Sequence, residues 1–106
     1  MNGFWTTDPA TWNGAARPIA TIRPHSHVVV AGMIRAATET TVGSSPAWRC
    51  TLADSTGEID LLFLGRTRMA GLEPGRYCGV GGTVVADSTA AGRRLVIWNP
   101  LYQLSP

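Results

Sequence analysis

The chain has 106 residues, a mass of 11.3 kDa, and apolar residues at 44% of its length, which fits one small domain with its own core. Only 15% of it is charged, all nine basic residues are arginine, and seven acids leave a formal net charge of +2. That balance is far from polybasic, and no apolar run approaches the roughly 18 residues of a membrane helix.

The N-terminus, Met1-Asn2-Gly3-Phe4-Trp5, shows no charged start followed by an apolar stretch, so a cytoplasmic protein is expected. Cys50 and Cys78 lack CxxC spacing and read as two buried free thiols, with a disulfide as the alternative.

Residues 1–23 carry Phe4, Trp5 and Trp12, but Pro9, Pro18, Gly3 and Gly14 interrupt any period. They read as an extended N-terminal arm that either packs on the domain or offers its aromatics to a partner. Residues 24–106 read as the domain proper. From His25 the pattern alternates: Val28, Val30, Gly32 and Ile34 on one face, Val29, Ala31, Met33 and Arg35 on the other. Gly32 predicts a bulge or sharp bend in this first strand. Thr38 to Pro46 reads as a polar loop. Trp48, Cys50 and Leu52 then alternate inward, with Arg49 and Thr51 outward.

Asp54-Ser55-Thr56-Gly57 reads as a tight turn in which Asp54 caps its own backbone and Gly57 takes a positive φ. Ile59, Leu61 and Phe63 continue the inward set, with Glu58, Asp60, Leu62 and Leu64 outward. Gly65 to Pro74 has room for one helical turn. Cys78, Val80, Gly82 and Val84 mark a fourth strand, and Asp87 to Gly92 a loop. Leu95 and Ile97 mark a last strand, broken by Asn99-Pro100 before Tyr102 and Leu104. Five curved strands with almost no helix predict an all-β domain that closes into a small barrel.

These residues resemble the OB-fold, the five-stranded Greek-key barrel. The resemblance is carried by Val28-x-Val30-x-Gly32-x-Ile34, the Leu52 to Ile59 turn, Pro74-Gly75-x-x-Cys78-x-Val80-x-Gly82-x-Val84, and the closing Leu95 to Tyr102. The turn is similar to OB domains of the RecG wedge and of tRNA-synthetase anticodon-binding type. Residues 18–105 resemble small actinobacterial proteins described as OB-fold nucleic-acid-binding domain proteins. There the stretch Leu62 to Arg76 and the ending Asn99-Pro100-x-Tyr102 are the most specific pieces. The resemblance implies single-stranded DNA or RNA as partner, bound on strands two and three and their flanking loops.

The candidate contacts are Arg35, Arg49, Arg66, Arg68, Arg76, Arg93, Arg94 and Trp98, with Trp48 and Phe63 as stacking residues if they are exposed. A solvated rim is the competing reading of the arginines. Outward Val29, Met33, Leu62 and Leu64 suggest instead an apolar patch for a protein partner or a second copy. His25-x-His27 supplies two of the four ligands zinc needs, so no metal is expected, and no cofactor or small-molecule substrate is evident from the sequence. Glu58 and Asp60 carry no catalytic context, so a non-catalytic module is expected.

Overall fold

Val, Ile, Leu and Thr at alternating positions favour extended chain, and the six strands follow that pattern. The computed structural model describes residues 16–89 and 92–105. The expected arm falls outside the described residues up to position 15. From Ala16 onward the chain is built into the domain. A short 3-10 turn, Ile19–Thr21, drops Ile19 and Ile22 into the core. The Arg17 amide donates to the Val29 carbonyl at 2.9 Å, which ties this entry segment to the first strand.

The strands are β1 His27–Val42, β2 Ser45–Ala53, β3 Glu58–Leu64, β4 Tyr77–Thr89, β5 Gly92–Trp98 and β6 Leu101–Leu104. They form one six-stranded mixed sheet in the order β1-β2-β3-β5-β4-β6, in which β3 and β5 run parallel and the other neighbours antiparallel. The start of β1 also pairs with β4, from His27 opposite Thr83 to Met33 opposite Tyr77.

The expected five-stranded Greek-key barrel is therefore corrected to a six-stranded mixed sheet with an OB-like strand order. The sixth strand arises at Asn99-Pro100. Asn99 adopts a left-handed φ of 49°, and the proline that follows lacks an N–H. The chain leaves β3 there and resumes as β6 against Cys78–Gly81 of β4.

Two further expectations are revised. The polar loop at Thr38 to Pro46 is mostly strand: β1 runs on to Val42 and turns through Gly43, at φ 61°, into β2 at Ser45. Its Thr-rich sequence is a good strand former in which only Thr40 and Val42 are half-buried, so no apolar alternation announces it. The bulge falls at Arg35, between the pairs Ile34–Leu52 and Ala36–Thr51, rather than at Gly32. That extra residue moves the inward parity from Ile34 to Ala37.

The turn at Asp54 follows the expected capping. Its Oδ1 accepts from the Thr56 amide (2.7 Å), the Thr56 hydroxyl (2.6 Å) and the Gly57 amide (3.1 Å). Its Oδ2 accepts from the Ile19 amide at 2.9 Å, which pins the 3-10 turn. Gly57 does not take the positive φ expected; Gly43, Gly65, Gly71 and Gly75 do. Burial alone would push the Asp54 carboxyl up, but these hydrogen bonds hold it below the usual value. Asp54→Ala removes all four bonds and is expected to lower stability by about 1–2 kcal/mol in a denaturant titration, the range for losing a carboxylate cap.

The core holds Val28, Val30, Ile34, Leu52, Ile59, Leu61, Val80, Val84 and Ile97 with the two cysteines. Cys50 and Cys78 are free and fully buried. Burial pushes their thiols up, to about 11 for Cys50 and to about 12 for Cys78. The connector between β3 and β4 contains no helix. It turns at Gly65 and Gly71, and Leu72 plugs the core. The Leu72 carbonyl accepts the Trp48 indole N–H at 3.0 Å.

Candidate functional site

Strand register decides which side chains share a face. Thr38 of β1 stands opposite Arg49 of β2, Arg49 opposite Leu62 of β3, and Leu62 opposite Trp98 of β5. These four form one row across four strands on the face turned away from the core. With neighbouring strands about 4.8 Å apart, Arg49 and Trp98 lie about 10 Å from one another. Trp98 keeps 37% of its surface exposed, so an indole and a guanidinium are presented on one face.

Beside this row is a concavity of about 600 Å³, lined by Arg35, Ala36, Ala37, Thr38, Arg49, Thr51, Glu58 and Arg94. Three arginines from β1, β2 and β5 thus face the same open space. Arg35 reaches it because the bulge leaves it without an opposite residue on β2. It makes only a long contact, 3.9 Å, to Glu58 Oε2. Arg94 Nη2 lies 3.8 Å from Glu58 Oε1.

Beneath the arginines lies Asp60, which is 1% exposed. Its Oδ2 accepts from Arg49 Nη2 and from Arg94 Nε, each at 2.7 Å. Its Oδ1 accepts from Arg94 Nη2 at 2.9 Å and from the Thr51 hydroxyl at 3.2 Å. One carboxylate therefore clamps β2, β3 and β5. Burial pushes this carboxyl up, but the hydrogen bonds and charges of Arg94 and Arg49 outweigh burial and hold it below the ordinary carboxylate range. The buried Asp60 is enclosed by its partners, so it is not the free surface acid its outward parity suggests. Three guanidinium groups against two carboxylates leave this concavity basic, by a small margin.

The remaining sequence candidates are scattered. Arg68 pairs with Glu73 at 3.1 Å, and Arg76 donates to the Ser105 carbonyl at 3.3 Å, both on or beside the connector. Arg66 is exposed there without a partner among the described residues. None of these three lines the concavity. The Arg93 side chain lies outside what the structure describes.

Two stacking candidates are withdrawn from the surface. Phe63 is 5% exposed and meets the Tyr102 ring edge-on, with centroids 5.6 Å apart. Trp48 is half-buried against the core, its N–H consumed by Leu72. The four-residue apolar patch is also corrected. Leu62 is buried at 7% exposure, packed with Ala47 and Val96. Met33 stands opposite Ala53 and Leu64 opposite Ala47, six residues apart along β2, or about 20 Å. Val29 is half-buried on the β1 segment paired to β4. These residues form no single patch.

Among the described residues no group of three His, Cys, Asp or Glu side chains is placed to hold a metal ion. No helix among them is long and apolar enough to cross a membrane.

No family model matches the chain, and no curated protein matches it. Solved structures do. The second OB-fold domain of replication protein A from Methanococcus maripaludis superposes with a TM-score of 0.58 at 17% identity, covering 81% of this chain and 92% of that one. The p204 HINb domain superposes with a TM-score of 0.53 at 16% identity, covering 92% of this chain and 51% of that one. At such identities the likeness is one of shape, and it shows an OB-like, all-β fold.

Proposed function

We propose that this domain is a non-catalytic module that binds single-stranded nucleic acid on the outer face of β2 and β3, with Arg35, Arg49 and Trp98 as its main contacts. The observation that supports this most is the shared face: an exposed indole in register with Arg49, beside a concavity lined by three arginines. An OB-type sheet uses this face and its flanking loops for single strands, combining aromatic stacking with cationic contacts to phosphate. The Asp60 clamp fixes Arg49 and Arg94 in place, so little side-chain entropy is lost when a phosphate approaches. The same clamp neutralises part of their charge, which makes for modest affinity and a shallow salt dependence.

The test is fluorescence anisotropy with a labelled single-stranded oligonucleotide at low salt. Binding is expected in the micromolar range and weakens as salt is added, by roughly 0.7 log units per decade of salt for each phosphate neutralised. Trp98→Ala is expected to weaken it roughly tenfold through the lost stacking. Absence of binding at tens of micromolar protein contradicts the reading.

One observation favours a second reading, contact with another protein chain. Leu101 on the short strand β6 is 62% exposed and Tyr102 beside it is also exposed, and among the described strands β6 pairs only with β4. A strand edge of this kind accepts another strand. Sedimentation equilibrium tests the simplest form, a second copy: a mass that rises with concentration supports it, and a strict monomer counts against it.

A further inference from the structure

At the other end of β1 the chain enters the sheet through a segment with its own chemistry. Arg17, Thr21, Arg23, Ser26 and His27 line a separate concavity of about 250 Å³, closed at the back by Ile22 and Val28. Among the described residues no Asp or Glu lines it, in contrast to the concavity around Glu58. Among the arginines whose side chains are described, Arg35, Arg49, Arg68, Arg76 and Arg94 each have an ionic or hydrogen-bonded partner. Arg17, Arg23 and Arg66 have none, and two of these three meet in this one hollow.

The backbone that carries them is held in place. The Arg17 amide is bonded to Val29, the His25 amide donates to the Val84 carbonyl at 2.7 Å, and the Val84 amide donates to the Ser26 carbonyl at 2.9 Å. The Ser26 hydroxyl donates to the Arg23 carbonyl, which closes the loop on itself. His27 Nδ1 lies 3.5 Å from the Thr83 hydroxyl, so Nε2 is left without a partner among the described residues. His25 sits at a left-handed φ of 69°, a conformation a non-glycine residue adopts only when its surroundings impose it.

We infer that this hollow is an oxyanion site that takes a phosphate group, held by Arg17 and Arg23 with His27 at its rim. Two guanidinium groups with free N–H forks, and no competing carboxylate among the described residues, match phosphate geometry. The hollow is separate from the concavity of the proposed nucleic-acid face: the two share no lining residue and lie toward opposite ends of β1. The phosphate belongs either to a small phosphorylated compound or to a nucleic-acid strand that continues past the first concavity.

The experiment is a titration of the isotopically labelled protein with inorganic pyrophosphate at fixed low ionic strength, followed in ¹H–¹⁵N spectra. Saturable shifts are expected at the amides of Thr21 to Val28 and at the Arg17 and Arg23 side-chain N–H groups. The Arg17→Gln/Arg23→Gln variant should weaken this response at least fivefold, while the charge-matched Arg66→Gln/Arg68→Gln variant leaves it within twofold. All four side chains are exposed, and the spectrum of each variant reports that the fold is kept. Shifts that do not saturate, or that both variants weaken equally, overturn the inference. Single-strand binding then separates the sources. A salt slope lowered by about 0.7 or more in the Arg17/Arg23 variant assigns the phosphate to nucleic acid, and an unchanged slope assigns it to a small compound. The site stands in either case, and the pyrophosphate result does not depend on whether the domain binds nucleic acid.

Discussion

Asp60→Ala is expected to lower the stability of the domain by about 2–4 kcal/mol, and with it the melting temperature by roughly 10 °C or more. The carboxylate is buried and accepts four hydrogen bonds from three side chains on two neighbouring strands. Removing it leaves Arg49 and Arg94 side by side with only Glu58 nearby to offset them. Both arginines reach solvent in part, which keeps the cost at the lower end of the range for a broken buried pair. Asp60→Asn should recover some of the packing and none of the charge pairing, so it falls between wild type and Asp60→Ala. Urea titrations of the three proteins give the ordering directly.

The same carboxylate sets a pH dependence with a definite sign. Its folded value lies below the ordinary one, so the unfolded chain takes up its proton first as acid is added. The stability it supplies is fully present above about pH 4, the unfolded value, and is lost as the pH falls through the folded value. Asp54 is shifted in the same direction and adds to the slope. Stability in urea is therefore expected to be flat near neutrality and to fall below about pH 4. Asp60→Asn should flatten that acid limb.

Gly32→Ala is the second substitution with a large expected effect. A Cβ at Gly32 would overlap the Ala53 carbonyl oxygen and lie 2.8 Å from the Ala53 carbonyl carbon. Those are backbone atoms at the end of β2, so no side-chain rotation relieves the clash. Gly32 lies where β1 passes from pairing with β4 to pairing with β2, and its missing side chain is what lets Ala53 approach. A loss of about 3 kcal/mol or more is expected, read by thermal unfolding and by the dispersion of the amide spectrum. Gly43→Ala is a useful contrast. Nothing lies within 4 Å of a Cβ there, so its cost is limited to the left-handed φ, about 1 kcal/mol.

The alternation at Val28 to Ile34, Trp48 to Leu52 and Glu58 to Leu64 was legible because one face of each strand meets the core. The parity of Trp98 was legible for the same reason, since Leu95 and Ile97 point the other way. What the sequence hid were features set by pairing between distant strands. Period-two patterning says that Arg49, Asp60 and Arg94 face outward; it does not say that they meet. Their clamp depends on register across β2, β3 and β5, and on the parallel pairing of β3 with β5.

The closed five-stranded barrel failed as an expectation at Asn99-Pro100, where a break in one strand created a separate sixth. The strand status of Thr38 to Val42 was hidden because its threonines pattern like a loop. Arg17 and Arg23 fall in the segment that reads as an extended arm, although Ile19 and Ile22 beside them, three residues apart, are the signal that this segment enters the core.

The most direct test of the proposed face is a map of amide and indole shifts in ¹H–¹⁵N spectra as an unlabelled single-stranded oligonucleotide is added. The reading predicts that the largest changes fall on the Trp98 indole N–H and on the amides of Arg35 to Thr38, Arg49 to Thr51 and Leu62. Largest changes at β6 and the connector instead, with Trp98 unmoved, would contradict it.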